Sequence, residues 1–370
     1  MKMQDYVKYS PKQLQKNIQA NPVLTEKLDS IYQESNAQYV TFVASGSSYN
    51  SAKMVVPIAQ KLLNKPVFLQ TPEAVLENGI FDQNDNFVIV ISQSGSSTNI
   101  IQCLKYLQEK KIQEVSLTGN VESPMAKYST EIIDYQTGNE YVDFVTVGVT
   151  TLVLFLELFA INSSGLSFQK KQELIQRIGE SINSQDNVLK QVDQFIDVNR
   201  YALSQDLPTF FVGNGVNNGI AKEAALKFQE TLKRPAMYYE LEEFLHGPDM
   251  QLNPNYTVFL LDDFNHLGRF DEVYRTLKII TKNVFLITDN HEYQTDSSVI
   301  VVPKINQELS CPFLFLPPIQ LIASVMTDEL NHWSNHKYFD DFDKKVSIKS
   351  ADYQEELKQI KHKWEKGDEK

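Results

Sequence analysis

The sequence predicts an α/β protein built from two tandem copies of one doubly wound unit, each a mainly parallel sheet flanked by helices. Three observations point there. Short β-rich apolar runs alternate with segments of helical period over residues 36–165, and again over residues 201–340. The stretch VIVISQSGSSTN (Val88–Asn99) reads as strand, tight polar loop and helix start. Finally, FVASGSSYNSAK (Phe42–Lys53) lies over FVGNGVNNGIAK (Phe211–Lys222) at a constant offset of 169, matching Phe, Val, Gly, Ala and Lys. With one residue more, Leu107, Thr118 and Asn120 fall on Leu277, Thr288 and Asn290, so the two halves repeat one supersecondary order.

Taken in order, residues 1–35 form a helical segment with Pro11 and Pro22 near helix starts. Strand Tyr39–Ala44, loop Ser45–Ser48 and helix Ser51–Leu63 follow, then strand Pro66–Gln70 and helix Thr71–Asn78. Strand Phe87–Ile91, a helix to about Lys110, and strands Glu114–Thr118 and Glu131–Tyr135 complete the first sheet. The apolar run Phe144–Ile161 has bilayer-like length, but it holds Glu157 and lacks a basic flank, so it is expected as a buried core helix rather than a membrane span. Residues 166–200 are polar and helix-permissive and connect the units, and 341–370 form a C-terminal tail with a Lys-rich, solvated end at Lys361–Lys370.

Composition narrows the function. With 35 basic against 47 acidic residues the net charge is −12, and no basic stripe with interleaved aromatics occurs, so nucleic acid is not an expected partner. An anionic ligand must be held by local donors rather than by the overall field. The two cysteines, Cys103 and Cys311, sit in apolar surroundings, which suits a reducing cytoplasm and no disulfide framework. The N-terminus is too polar for a secretory signal.

The loop after Val88–Ile91 carries the first chemistry. Gly95 lets the backbone approach a bound group, Ser92, Ser94, Ser96, Ser97 and Thr98 offer hydroxyls, and the following helix start presents amides without intrahelical partners. Such a place binds an oxyanion; an ordinary Ser/Thr-capped helix start is the bland alternative. Under Ser92, Ser94, Gly95 and Ser97 the second copy puts Asp262, Phe264, Asn265 and Leu267, whose charge and bulk would exclude a phosphate. One anion clasp per chain is therefore expected.

The second copy offers different groups. GNGVNNG (Gly213–Gly219) lacks the third glycine of a dinucleotide fingerprint. In the helix behind it, Asn217–Leu232, Ala221, Ala224, Ala225, Phe228 and Leu232 make an apolar stripe, while Glu223, Lys227 and Glu230 share another face at i, i+4 and i+7, either as a solvated salt-bridge face or as a site. In YYELEEFLHGPD (Tyr238–Asp249), Gly-Pro ends any helix and presents His246 on a turn. His332 and His336 lie at i, i+4, but the glutamate of a zinc-protease helix is missing; no metal is expected.

These residues, the paired SGSS and SQSGSS loops, the A-K-E-A-A-L-K-F-Q-E helix and the E-F-L-H-G-P turn, resemble sugar isomerase (SIS) domain proteins. More narrowly, they are similar to the isomerase half of glucosamine-6-phosphate synthase and to stand-alone fructosamine- and glucoselysine-6-phosphate deglycases. The resemblance implies phosphate binding by Ser47, Ser48, Ser92, Gln93, Ser94 and Ser97, supported by Gly46 and Gly95. It implies that Glu230 shuttles a proton between C1 and C2 of the open-chain sugar, with Glu223 and Lys227 in support. His246 would assist ring opening or leaving-group protonation across a dimer interface, and Lys344, or its neighbour Lys345, would correspond to the imine-forming lysine of the synthase. Ser96 and Ser97 depart from the family's frequent glutamate and threonine. No N-terminal cysteine nucleophile precedes the units, so nitrogen transfer from glutamine is not expected.

The expected function is thus a cytoplasmic, homodimeric, cofactor-free enzyme that cleaves a fructosamine-type 6-phosphate to hexose 6-phosphate and amine by Glu/His chemistry. Isomerisation or deamination of a hexose(amine) 6-phosphate, and a sugar-phosphate-sensing regulator, are the alternatives.

Overall fold

The computed structural model describes residues 2–138, 140, 144–262, 268–305 and 307–350. Two N-terminal helices, α1 (Met3–Gln19) and α2 (Glu26–Ser35), precede the first unit. That unit runs β1 (Tyr39–Val43), α3 (Gly46–Leu63), β2 (Val67–Gln70), α4 (Pro72–Asn78), β3 (Asn86–Ile91), α5 (Thr98–Glu109), β4 (Glu114–Thr118), β5 (Glu131–Asp134) and α6 (Val147–Asn162). The long helix α7 (Phe168–Ser204) leads to the second: β6 (Thr209–Gly213), α8 (Val216–Lys227), β7 (Ala236–Tyr239), α9 (Leu241–Leu245), β8 (Thr257–Leu261), α10 (Arg269–Leu277), β9 (Val284–Thr288), β10 (Val299–Val301), α11 (Cys311–Leu330) and α12 (Phe339–Lys345).

Each unit has a five-stranded parallel sheet, in the order β2-β1-β3-β4-β5 and β7-β6-β8-β9-β10. The register repeats with the order: Phe42 lies beside Ile89 and Phe211 beside Phe259, Ile89 beside Val115 and Phe259 beside Phe285. Helices cover both faces, so β3, β4, β6, β8 and β9 are buried along their whole length; β3, β8 and β9 read as nearly continuous apolar runs, whereas β4 (EVSLT) also buries Glu114, Ser116 and Thr118. In such a fold, ligands collect outside the carboxyl ends of the strands; there the β1–α3 and β3–α5 corners meet, Asn99 reaching Ser45, and the start of α3 packs on the C-terminal half of α8.

Two apolar helices fill the space between the sheets. α6 is buried on every side from Val147 to Ile161. Its Glu157 has neither carboxylate oxygen hydrogen-bonded, and burial raises its pKa well above the carboxylate range, so it is carried neutral. α11 is the second; Phe144–Ile161 is therefore not the one membrane-like run. Glu308–Leu330 is the helix long and apolar enough to cross a membrane among the described residues, and 94% of its most apolar window is buried inside the protein. Pro312, Pro317 and Pro318 conceal it in the sequence, since proline usually breaks helices, yet packing against α7 and α8 holds it continuous. Two boundaries also differ. Pro11 lies inside α1, which persists because Tyr6, Val7 and Leu14 are buried, and α3 begins at Gly46 rather than Ser51, directly off the strand. Phe264, Asn265, Leu267 and Lys361–Lys370 lie outside the described residues, whereas Asp262 accepts a hydrogen bond from the Thr288 hydroxyl at 3.1 Å.

Candidate active site

The β3–α5 corner builds a serine cradle. Ser92 ends the strand with its backbone amide bonded to the Leu117 carbonyl (3.0 Å), and its hydroxyl lies 3.5 Å from that of Ser97, the N-cap of α5. Gly95 turns the chain at φ +60°, where a Cβ would come 1.8 Å from the Ser123 hydroxyl, so only glycine fits. Ser96 is fully buried and donates to the Ser94 carbonyl (3.2 Å), leaving Ser94 and Ser97 half-buried at the rim. Gln93 turns away from the rim, lying against the backbone of Gly148 with its amide 3.4 Å from Glu140. Glu140 itself caps α6, accepting from the amides of Thr146, Val147 and Gly148. Asn99 ties this corner to the β1–α3 corner by donating to Ser45 (2.9 Å).

The second cluster lies where α3 packs on α8. Glu223, Lys227 and Glu230 are not a solvated face: Glu223 and Lys227 are almost wholly buried, and Glu230 keeps 31% of its side chain exposed. The Lys227 ammonium reaches Glu230 at 2.7 Å, Glu223 at 3.3 Å and the Ser47 hydroxyl at 3.3 Å. Glu223 accepts from Ser47 (2.9 Å) and from the Asn50 amide (2.7 Å). Burial raises the Glu223 pKa, with Lys227 pulling against it; burial also opposes the charge on Lys227, but its two carboxylates outweigh that and raise its pKa. After Lys227 the helix unwinds into a π turn, Phe228–Leu232, in which Glu230 is partly exposed while Phe228 and Leu232 stay buried. The result is one carboxylate, Glu230, half open to a ligand and held by a buried cation. A cleft of about 260 Å³ opens between Gly46, Asn50, Gln229 and Tyr238; Lys222, Ala225 and Leu226 of α8 line it, not Glu230, and the Lys222 ammonium lies 4.3 Å over the Tyr49 ring.

The remaining expected residues fall in different places. Ser47 belongs to the acid–base cluster rather than to the serine cradle, and Ser48 stands next to it, half-buried in the first turn of α3. His246 caps α9 on the surface, and among the described residues its side chain has no hydrogen-bond partner. Lys344 and Lys345 are exposed at the end of α12, outside the cluster; a different lysine, Lys349, enters the cradle and donates to Ser94 (2.7 Å) and Ser97 (3.3 Å). His332 and His336 follow α11 rather than sharing a helical face, and His332 bonds to the Leu232 carbonyl (3.1 Å). Among the described residues, no group of three or more His, Cys, Asp or Glu could hold a metal ion.

A family profile for the SIS domain matches residues 35–161 and 203–298, one match on each sheet. The chain belongs to the SIS domain family. It is similar to the glutamine–fructose-6-phosphate aminotransferase [isomerizing] of Pyrobaculum aerophilum, at 23% identity over 301 residues, 78% of this chain and 48% of that protein. The chain spans about half the length of the curated relatives it matches. A crystal structure of a candidate phosphosugar isomerase from Clostridium difficile 630 superposes with a TM-score of 0.85 at 26% identity, covering 95% of this chain and 99% of the other. The C-terminal domain of glucosamine-fructose-6-phosphate aminotransferase from Francisella tularensis shares the fold at a TM-score of 0.76 and 19% identity, covering 89% and 96%. Glucosamine-6-phosphate deaminase from Thermotoga maritima does so at 0.70 and 20%, covering 89% and 95%.

Sequence reasoning missed Asn50 and Asn99 in the first SIS unit and Lys349 in the C-terminal tail. Asn50 and Asn99 each stand within a few residues of a singled-out loop glycine, but which carboxylate or hydroxyl they meet depends on how the loops from distant strands converge. Lys349 is five residues beyond Lys344, in a segment without regular pattern; only the path of the tail across Ser96–Thr98 marks it.

Proposed function

We propose that this SIS-family chain is an enzyme acting on the amine-linked carbon of a hexose 6-phosphate derivative, and that it cleaves a fructosamine-type 6-phosphate to hexose 6-phosphate and free amine. The observation that carries the reading is the Lys227-centred cluster, which sets a half-exposed Glu230 carboxylate beside a fully buried one. Ser47, bonded to Glu223, and Asn99, bonded to Ser45, link that cluster to the corner holding the serine cradle.

Phosphate in the cradle of Ser92, Ser94 and Ser97 fixes the sugar so that its far end reaches α8. Glu230 takes a proton from C1 while the substrate's protonated amine gives one to the C2 carbonyl oxygen, forming the neutral enaminol, and return of the Glu230 proton to C2 gives the protonated imine of the aldose. Water then adds to C1 and the amine leaves, so the balance is one water consumed for one hexose phosphate and one amine. Lys227 stabilises Glu230 as the carboxylate between turnovers. His246, exposed on its turn, is assigned to protonate the ring oxygen or the departing amine in a neighbouring copy, which makes the working unit a homodimer. Imine formation through Lys344 is not needed, because the substrate already carries an amine. Ketose/aldose isomerisation or deamination uses the same C1–C2 proton transfer and is the second reading, favoured by the structural likeness to proteins described as an isomerase and a deaminase.

A coupled assay for glucose 6-phosphate release, run side by side on fructoselysine, glucoselysine and glucosamine 6-phosphates, tests the reading. Glu230→Gln is expected to lower kcat by about 10²–10⁴-fold with binding retained, and Ser94→Ala to act mainly through KM. Turnover surviving in Glu230→Gln refutes the role given to that carboxylate.

A further inference from the structure

We infer that Lys349 is a further ligand for the anionic end of the substrate, carried into the serine cradle by a C-terminal strap of residues 347–350; the inference rests on the phosphosugar reading above. The strap is fixed to the loop by backbone as well as side chain. Ser97 and Lys349 form an antiparallel bridge, the Thr98 amide donates to the Ile348 carbonyl (3.1 Å), and the Ser350 amide donates to the Ser96 carbonyl (2.9 Å). A local turn, in which Ser347 donates to the Lys349 carbonyl (2.9 Å) and accepts from its amide (3.3 Å), holds the lysine in register.

That register aims the side chain. The Lys349 ammonium donates to Ser94 at 2.7 Å and Ser97 at 3.3 Å, the two hydroxyls at the cradle's rim. An ammonium can only donate, so both serines spend lone pairs on it and their own protons are free to point at an acceptor. Two hydroxyl donors gathered around one cation are a ready receptor for a phosphate oxyanion, and charge-assisted bonds of this kind are about twice as strong as neutral ones. The chain otherwise gives an anion little help: its net charge is −12, and Ser92–Thr98 contains no charged side chain. Burial pulls the Lys349 amine below the usual lysine range. The strap also explains why Ser97 caps α5 without a side-chain bond to the helix: its hydroxyl serves the cradle. Lys349 sits at the phosphate end, while Lys227 serves the end where protons move, and exposed Lys344 serves neither.

The test is calorimetric titration of the full chain with fructose 6-phosphate and with inorganic phosphate, at several salt concentrations. Lys349→Met is expected to raise Kd for both by about 10–100-fold and to flatten the salt dependence, Lys349→Arg to recover part of the loss, and Lys337→Met, which removes a charge from the same C-terminal region, to leave Kd unchanged. On the turned-over substrate, KM rises more than kcat falls. Lys349→Met and Lys349→Arg binding with wild-type Kd while Ser94→Ala weakens it overturns the inference and spares the proposed function. Tighter binding in Lys349→Met makes the lysine a plug and also overturns it. Failure of the wild-type chain to bind fructose 6-phosphate sinks both. Should Lys349→Met not fold, Lys349→Gln and Lys349→Arg carry the same comparison.

Discussion

Helices α3 and α8 hold equivalent positions in the two SIS units and cross each other at the interface, yet they have been given opposite work. At the offset of 169 that relates the copies, Asn50 corresponds to Gly219 and Met54 to Glu223. Both images of that contact are present: Asn50 donates to Glu223, and the backbone of Gly219 packs so tightly on Met54 that a Cβ would come within 2.8 Å. Where α8 and the π turn after it carry Glu223, Lys227 and Glu230, α3 carries Met54, Ile58 and Lys61. The β–α corners differ the other way, the first copy having a hydroxyl-rich loop without charge and the second Asp262. Duplication provides two symmetric sets of positions, and a polar site formed where they meet needs polarity from only one partner at each, because the other must pack.

Three perturbations sharpen that contrast. The largest effect is expected for Lys227→Met. Its counterpart Ile58 is apolar at no cost, whereas losing the buried ammonium strands Glu223 without its cation, and the unfolding free energy is expected to drop by about 3–5 kcal/mol. Urea denaturation measures it; a loss below about 1 kcal/mol would mean that Glu223 protonates or repacks freely.

Next comes Glu114, at the start of β4, whose counterpart in β9 is Val284. Burial raises the Glu114 carboxyl to about 7, although the Thr130 amide and the Ser116 hydroxyl bond to it. The folded protein then holds this proton more tightly than the unfolded chain, so ionisation costs stability as pH rises from about 4.5 to 7, up to about 3 kcal/mol. Glu114→Gln keeps an acceptor for Thr130 and should remove that loss, making stability between pH 5 and 8 flatter than in the parent protein. An unchanged slope assigns the pH dependence elsewhere.

The smallest effect distinguishes two loop glycines. Gly95 (φ +60°) would press a Cβ into Ser123, while a Cβ on Gly268 (φ +78°), which starts α10 in the second copy, meets nothing within 4 Å among the described residues. Gly268→Ala should cost only the left-handed backbone penalty, about 1 kcal/mol, and Gly95→Ala that plus the clash, about 1–3 kcal/mol more. Equal melting temperatures for the two variants would remove the claim that close packing shapes the cradle.

Much of this was legible in the residues. The repeat, the order of strands and helices along the chain, and the shared face of Glu223, Lys227 and Glu230 follow from periodicity and spacing, because fully buried strands and an i, i+4, i+7 face leave local marks; that the face is buried rather than solvated came only with the structure. The helical continuity of α11 was hidden, since its prolines argue locally against what tertiary packing enforces. The division of serines was hidden as well: Ser47 and Ser94 look alike in sequence, and only the approach of α8 to one and of Lys349 to the other tells them apart. His246 illustrates a third case, where the group is plain in the sequence and the fold leaves it exposed at the end of α9, its side chain without a hydrogen-bond partner among the described residues.

The central claim is that the first SIS unit grips an anionic end while the second supplies the proton chemistry. A crystal structure of the chain with fructose 6-phosphate bound tests it most directly. The account predicts phosphate among Ser92, Ser94 and Ser97, with C1 and C2 within hydrogen-bond reach of the Glu230 carboxylate. Phosphate bound at the β8–α10 corner, or sugar carbons remote from Glu230 with the phosphate correctly seated, would contradict it.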